Sequence, residues 1–113
     1  MITAEELFDR CREIMCSHLD GNLYVNKRMH ETLKLACAAG TCNSGKAFGN
    51  MFSQVSYLCK ANGIGKHDTD AIHTARRHAN SHITLSNEQL AADISALALF
   101  ISKVFAVNVP TAL

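Results

Sequence analysis

The chain has 113 residues, the usual size of one domain, and 48% of them are hydrophobic, which is enough to bury a core. Eleven lysines and arginines against ten acidic residues give a net charge of +1 with neutral histidines, and this balance excludes a general polyanion-binding surface. Any contact with nucleic acid therefore has to be local, made by charge concentrated in one cleft.

The cysteines are an odd set of five, namely Cys11, Cys16, Cys37, Cys42 and Cys59. The N-terminus has no hydrophobic signal core, because Glu5, Glu6 and Asp9 interrupt its first apolar residues. We therefore expect reduced thiols that fill the core of a cytoplasmic protein. No run of the chain reaches membrane-spanning length without charge or strong polarity, so we expect no membrane partner.

The spacing of apolar residues predicts helices and no strands. Thr3-Ala4-Glu5-Glu6 is a capping box that begins a first helix, and Asp20-Gly21-Asn22 ends it. Asn26 is predicted to cap a second helix that Gly40 ends. Both helices have an apolar stripe at helical spacing, made by Leu7, Cys11, Ile14 and Met15 in the first and by Met29, Leu33, Ala36 and Cys37 in the second.

A third helix is predicted over about 45–61, with a stripe made by Phe48, Met51, Phe52, Val55, Leu58 and Cys59. Asp68 is predicted to cap a fourth helix. One face of the fourth helix would carry Ile72, Ala75, Ala79, His82 and Ile83. Ser86-Asn87-Glu88-Gln89 is a second capping box and opens a fifth helix.

The fifth helix is apolar on most of its sides. Its core stripe is Leu90, Ile94, Leu97, Ile101, Val104 and Phe105, and its other sides carry Ala91, Ala92, Ala98, Leu99 and Phe100. Such a helix is either central in its own bundle or buried a second time by a partner, and we expect a homodimer. The predicted fold class is all-α, an up-and-down bundle of four to five helices over residues 1–107. Residues 108–113 are predicted to be a tail or the start of a linker to a missing region.

The segment from Gly40 to Ala47 nearly matches a phosphate-binding loop. That loop needs a hydroxyl after its lysine to hold magnesium, and Ala47 has none. It also needs a preceding strand in a parallel sheet, whereas residues 33–39 are helical in pattern. We interpret the segment as a connection between helices, with Gly40 as a C-cap and Ser44 as an N-cap.

A metal site is a second alternative. His78 and His82 are four residues apart, so on a helix they would share one face and could both bind zinc. Such a pair needs a third and a fourth ligand. One could come from His67, His73 or a cysteine, but nothing in their spacing requires it. We expect no metal and no cofactor.

The stretch from Arg77 to His82 contains an arginine, which neutralises phosphate charge, and histidines, which transfer protons near neutral pH. Metal-independent cleavage of RNA needs these groups, because attack by a 2′-hydroxyl requires a base and a cation for the developing charge. In an ideal helix Arg77 and His82 point about 140° apart. They converge only if the helix bends near Asn80 or if two protomers meet. Otherwise His82 is a hydrogen-bonded interface residue and Arg77 is solvated or ion-paired.

This stretch, in its all-helical context, resembles the HEPN superfamily (higher eukaryotes and prokaryotes nucleotide-binding domains). The resemblance rests on an arginine, a polar residue, three further residues and a histidine, here Arg77, His78, residues 79–81 and His82. It implies a metal-independent endoribonuclease of toxin, defence or RNA-processing type that acts as a homodimer. Arg77 would stabilise the phosphate charge, His82 would be general base or acid on the 2′-hydroxyl, and His78 would orient the pair or the phosphate.

Arg76 and Asn80 lie outside the fixed motif positions, and we expect them to assist in substrate binding. Arg76 is also an alternative to Arg77, because the family tolerates variable spacing. The resemblance implies RNA or another nucleic acid as a partner, and a nucleotidyltransferase antitoxin as another. Many members of the superfamily are not nucleases. The alternative is therefore a non-catalytic module for nucleic-acid binding, ligand binding or oligomerisation, as the N-terminal domain of a larger restriction or helicase-type protein with a fused helicase or nuclease domain.

Overall fold

The computed structural model describes residues 1–19, 25–111 and 113 of the chain. Within these residues the chain forms five helices and no strand. The helices are α1 (Ala4–Leu19), α2 (Val25–Thr41), α3 (Met51–Ala61), α4 (Lys66–Ala79) and α5 (Asn87–Phe105). The predicted all-α bundle of four to five helices is confirmed. The predicted end of the first helix at residues 20–22 lies outside the described residues.

Both predicted capping boxes are present. The hydroxyl of Thr3 accepts from the backbone N–H of Glu6 at 3.2 Å, and the Glu6 carboxylate accepts from the backbone N–H of Thr3 at 3.3 Å. The hydroxyl of Ser86 accepts from the N–H of Gln89 at 3.1 Å, and Gln89 accepts from the N–H of Ser86 at 2.9 Å. Because a capping box satisfies two otherwise unpaired donors, α1 and α5 begin where the sequence predicts.

Helix α5 is central in the bundle, since it contacts each of the other four helices. Its buried residues accordingly lie on several sides, and they are Leu90, Asp93, Ile94, Ala96, Leu97, Ala98, Phe100 and Ile101. This position accounts for the broad apolar surface of α5 within a single chain. The feature from which we expected a homodimer is therefore explained without a partner.

Helix α3 begins at Met51, later than the predicted start near residue 45. Its N-cap is Asn50, whose side-chain oxygen accepts from the N–H of Ser53 at 2.9 Å, so the prediction of Ser44 as the cap is wrong. Phe48 therefore precedes the helix and packs on the ring of Tyr57, with 5.3 Å between the centroids. Phe52, predicted in the core stripe, is 52% exposed.

Gly40 lies inside the last turn of α2, which continues to Thr41, so it is not the predicted C-cap. Because glycine has no Cβ, α3 and α5 can approach α2 closely at this position. A Cβ at this position would lie 2.8 Å from Val104 Cγ1 and 2.9 Å from Leu58 Cδ2. The segment after it connects two helices and follows no strand, as predicted, so it is not a phosphate-binding loop.

Two other predicted caps are wrong. Helix α2 begins at Val25, which puts Asn26 in its first turn. Helix α4 begins at Lys66 after the N-cap Gly65, which puts Asp68 in its first turn. The acidic side chain of Asp68 is still favourably placed there, since the N-terminal end of a helix carries partial positive charge.

Helix α5 ends at Phe105, and its C-cap Ala106 has a left-handed backbone with φ of 53°. The N–H of Val107 then donates to the carbonyl of Ser102 at 3.0 Å. In the segment 108–113, Pro110 lines a hollow against α1 and Leu113 packs on the core. None of the described helices is long and apolar enough to cross a membrane.

All five cysteines are free thiols. Cys11, Cys37 and Cys59 are buried, as expected of core-filling residues. Cys16 and Cys42 are exposed, so the prediction that they fill the core is wrong. Cys16 comes directly after Met15, the last residue of the α1 stripe, and Cys42 lies just beyond the end of α2.

Candidate functional site

A polar cleft lies where α2 meets the end of α4. Its larger hollow has a volume of about 480 Å³ and is lined by Asn26, Lys27, His30, Ala79, Asn80, Ser81 and His82. A smaller hollow of about 280 Å³ is lined by His30, Asn50, Met51, Phe52, Arg76 and Asn80. Because His30 and Asn80 line both hollows, we treat them as one site, which we call the α2–α4 cleft.

The end of α4 brings His82 to this cleft. The backbone N–H of Asn80 donates to the carbonyl of Arg76 at 3.1 Å, and the hydroxyl of Ser81 donates to the carbonyl of His78 at 2.7 Å. Residues 81–85 then leave the helical path. His82 and Ile83, predicted on the buried face of a longer helix, are exposed instead.

The same helix end separates the predicted zinc ligands. His78 lies in the last turn of α4 and His82 lies outside the helix, so they do not share a helical face. Among the residues that the structure describes, no three or more histidine, cysteine or acidic side chains are grouped to hold a metal ion.

Asn26 connects the segment after α4 to α2. Its side-chain N–H₂ donates to the carbonyl of His78 at 2.9 Å and to the carbonyl of Ile83 at 3.1 Å. These carbonyls lie on either side of the residues that line the cleft. One amide of α2 therefore positions the backbone that carries His82.

His30 was not predicted as a site residue. Its ring lines both hollows, and its Nδ1 atom is buried without a hydrogen-bond partner in the described part of the chain. Leaving a buried polar atom unpaired costs about 1–3 kcal/mol, and a catalytic role is one of the reasons for which proteins keep such an atom. The sequence signal for it is a histidine directly beside Met29, at the edge of the apolar stripe of α2.

Arg76 is held in the smaller hollow by its neighbours. Its Nε–H donates to Nδ1 of His73 at 3.1 Å, and its guanidinium carbon lies 5.3 Å from the centroid of the Phe52 ring. The ring of His73 stacks on Phe52 with 4.8 Å between the centroids. A cation over an aromatic face is stabilised by the charge distribution of the ring.

The hydrogen bonds of His73 determine its protonation. Because Nδ1 accepts from Arg76, the neutral ring carries its proton on Nε2 and donates it to the hydroxyl of Ser56, 3.1 Å away. Burial lowers the pKa of His73, and the charges of Arg76 and Arg77 lower it further, whereas Asp70 opposes them. With its proton on Nε2, neutral His73 donates to Ser56 and does not accept from it, and its Nδ1 supports Arg76.

His78 lines neither hollow. Its Nδ1 lies 2.7 Å from Oδ2 of Asp93, a buried residue of α5. Burial raises the pKa of Asp93, and the hydrogen bond from His78 lowers it. This contact of Asp93 was not predicted from the sequence. A charged residue between Leu90 and Ile94, in an otherwise apolar stripe, could have indicated a buried carboxylate with a polar partner.

Arg77 also lines neither hollow. It is exposed, and its guanidinium donates to the hydroxyl of Thr74 at 3.1 Å, one turn earlier on α4. Of the five predicted site residues, the cleft thus brings together Arg76, Asn80 and His82. Arg77 and His78 lie outside it.

Comparisons of the chain with protein-family models, curated proteins and solved structures found no significant match. The resemblance to the HEPN superfamily therefore rests on the motif and the helical context alone.

Proposed function

We propose that this chain is a metal-independent endoribonuclease of HEPN type and that the α2–α4 cleft contains its reacting groups. The observation that carries the proposal is that His30 and His82, from separate parts of the chain, line one hollow. Two imidazoles in one cleft can supply both the base and the acid of a phosphodiester cleavage near neutral pH. Lys27 lines the same hollow, and Arg76 lines the adjoining one.

The proposed reaction begins with the ribose 2′-hydroxyl. One imidazole accepts its proton while the oxygen attacks the adjacent phosphorus. The bond from phosphorus to the 5′-oxygen breaks, and the second, protonated imidazole donates a proton to that leaving oxygen. The products are a 2′,3′-cyclic phosphate and a 5′-hydroxyl, with no change in oxidation state. His82 and His30 take these two roles.

The negative charge that develops on the phosphate oxygens needs a fixed cation. The contacts of Arg76 with His73 and Phe52 support it in this role, in place of Arg77. The homodimer and the antitoxin partner remain part of the proposal, because Arg77 is exposed and available to a second molecule. A cytoplasmic location is also proposed, since all five cysteines are free thiols.

The test is incubation of the purified protein with end-labelled single-stranded RNA in EDTA. We expect fragments with cyclic phosphate ends, and no cleavage of the same sequence as DNA, which lacks the 2′-hydroxyl. His82→Ala and His30→Ala should each slow cleavage by roughly 10²- to 10⁴-fold, the usual contribution of a positioned acid or base. His67→Ala, at an exposed position in the first turn of α4, is the matched control and should retain full activity. Absence of cleavage, or equal rates for His82→Ala and the natural chain, would reject the enzyme.

A non-catalytic module that binds nucleic acid or another ligand is the second candidate. It is favoured by the positions of Arg77 and His78, because two of the three motif residues bind Thr74 and Asp93 outside the cleft. This candidate predicts that the RNA stays intact while the protein binds it. Weaker binding by Lys27→Ala and Arg76→Ala, without cleavage by any form, would establish it.

A further inference from the structure

An exposed aromatic ring lines the smaller hollow of the α2–α4 cleft. Phe52, in the first turn of α3, is 52% exposed. One exposed apolar side chain is common on protein surfaces and indicates nothing by itself. The neighbours of Phe52 are what distinguish it from the other exposed apolar residues.

The Phe52 ring is held in place by a chain of contacts. Ser56 bonds to His73 at 3.1 Å, and His73 bonds to Arg76 at 3.1 Å. Both His73 and Arg76 lie against the Phe52 ring. His73 is stacked on the ring, and Phe52 is still 52% exposed. A flat ring held in this way loses little conformational entropy when a ligand stacks on it.

Hydrogen-bonding groups surround this flat surface. The side-chain oxygen of Asn50 accepts from the N–H of Ser53, and this bond does not use the donors of its N–H₂ group. Asn80 is exposed at the end of α4 and lines the same hollow. Carboxamides provide donors and acceptors that match the edges of nucleobases, and Met51 adds a polarizable apolar wall.

We infer that the smaller hollow is a subsite for one unpaired nucleobase, stacked on Phe52 with its edge against Asn50 and Asn80. Its volume of about 280 Å³ is slightly below the usual range for small-molecule sites, which suits one base and leaves the sugar and phosphate outside. The hollow adjoins the one that contains His82 and Lys27, so the backbone of the same strand would pass there. Aromatic stacking of splayed bases is the usual way in which proteins hold single-stranded RNA.

The choice of RNA as ligand rests on the proposed function, but base binding does not require cleavage. The probe is a fluorescent decamer of 2′-O-methyl adenylate or uridylate, which lacks the attacking hydroxyl and so stays intact. A second decamer has the same backbone and no bases. Fluorescence anisotropy should show that the protein binds the decamers with bases more tightly than the abasic one.

Phe52→Ala should raise Kd for the decamers with bases by about 5- to 150-fold, which corresponds to the ~1–3 kcal/mol of one base–aromatic stack. It should leave Kd for the abasic decamer unchanged. Phe52→Trp should restore binding, because it keeps a flat ring at that position. Val107→Ala, at a residue that is 42% exposed and outside the cleft, is the matched control and should bind as the natural chain does.

The subsite and the nuclease can fail separately. Cleavage of RNA together with an unchanged Kd in Phe52→Ala would reject the base subsite and leave the enzyme standing. Base-dependent binding that Phe52→Ala abolishes, without any cleavage, would support the subsite and reject the enzyme. Equal binding of the abasic and complete decamers, or no binding of either at millimolar protein, would also overturn the subsite.

Discussion

The imidazole of His78 on α4 donates to the carboxylate of Asp93 on α5, with 2.7 Å between Nδ1 and Oδ2. The Asp93 side chain is only 4% exposed. Burial raises the pKa of Asp93 and the hydrogen bond from His78 lowers it, so the two effects oppose each other. A buried carboxyl group of this kind is tolerated because it has a partner.

Replacing Asp93 should therefore reveal the strength of the contact between α4 and α5. Asp93→Ala leaves Nδ1 of His78 without its acceptor, and we expect the free energy of unfolding to fall by about 1–3 kcal/mol. Asp93→Asn keeps an oxygen acceptor and should lose less. Urea denaturation at pH 7 measures both. Ser95→Ala, on an exposed side of α5, is the control, and an Asp93→Ala protein as stable as this control would contradict the expectation.

The sequence predicted those features of the fold that depend on neighbouring residues. The capping boxes at Thr3 and Ser86 are complete within four residues, and both helices begin as expected. The end of α4 depends on a distant residue as well as on local bonds. Asn26 bonds to carbonyls that are 52 and 57 residues away, and no local pattern contains that information.

The residues of the candidate site also divide into those that are close together in the sequence and those that only the fold brings together. Arg76, Asn80 and His82 were found because they belong to one short stretch of chain. His30 and Phe52 were missed because they come from α2 and α3, and only the packing of these helices against α4 brings them to the cleft. The helical spacing of the apolar residues placed Phe52 in the core stripe. This spacing alone does not show how far the neighbouring helices extend over the stripe, and they leave Phe52 exposed.

Asn26 should control the order of the segment that carries His82. Asn26→Ala removes the donors to the carbonyls of His78 and Ile83, and we expect faster amide hydrogen exchange over residues 81–85. Two lost hydrogen bonds would lower the free energy of unfolding by about 1–3 kcal/mol. Lys34→Ala, at an exposed position of α2, serves as the comparison. Unchanged exchange over this segment in Asn26→Ala would show that the amide does not hold it.

The close approach at Gly40 predicts a steric cost for any side chain there. Gly40→Ala places a Cβ within 2.9 Å of both Leu58 and Val104, and overpacking of this kind costs about 1–3 kcal/mol. The gain of about 0.5–1 kcal/mol from alanine in a helix offsets only part of this cost. Gly49→Ala, where a Cβ would meet nothing within 4 Å, should keep the melting temperature of the natural chain. Equal melting temperatures for the two variants would exclude the predicted clash.

The cysteines should react in two groups. Burial raises the pKa of Cys11 and of Cys37 to about 12, and it also raises the pKa of Cys59. These thiols are therefore protonated and shielded, whereas Cys16 and Cys42 are exposed. Iodoacetamide at pH 8 should add two groups to the folded protein and five after unfolding, as counted by mass spectrometry. Rapid labelling of a third cysteine in the folded state would contradict this.

The protonation of His73 should make the fold less stable in mild acid. Burial and the charges of Arg76 and Arg77 lower its pKa, so the unfolded chain binds this proton at a higher pH than the folded chain does. The stability that neutral His73 contributes is complete above the ordinary histidine pKa of about 6.5, and it is lost as the pH falls through the lower pKa of the folded state.

This loss can be isolated by comparing variants. The free energy of unfolding, measured in urea at several values from pH 7.5 to 5, should fall more steeply with decreasing pH for the natural chain than for His73→Gln, which cannot titrate. Both proteins keep Asp93, whose raised pKa acts in the opposite direction, so the difference between them reports on His73. His67→Gln, exposed at the start of α4, should keep the natural slope. If His73→Gln shows the natural slope as well, the bond from Arg76 does not hold His73 in its neutral form.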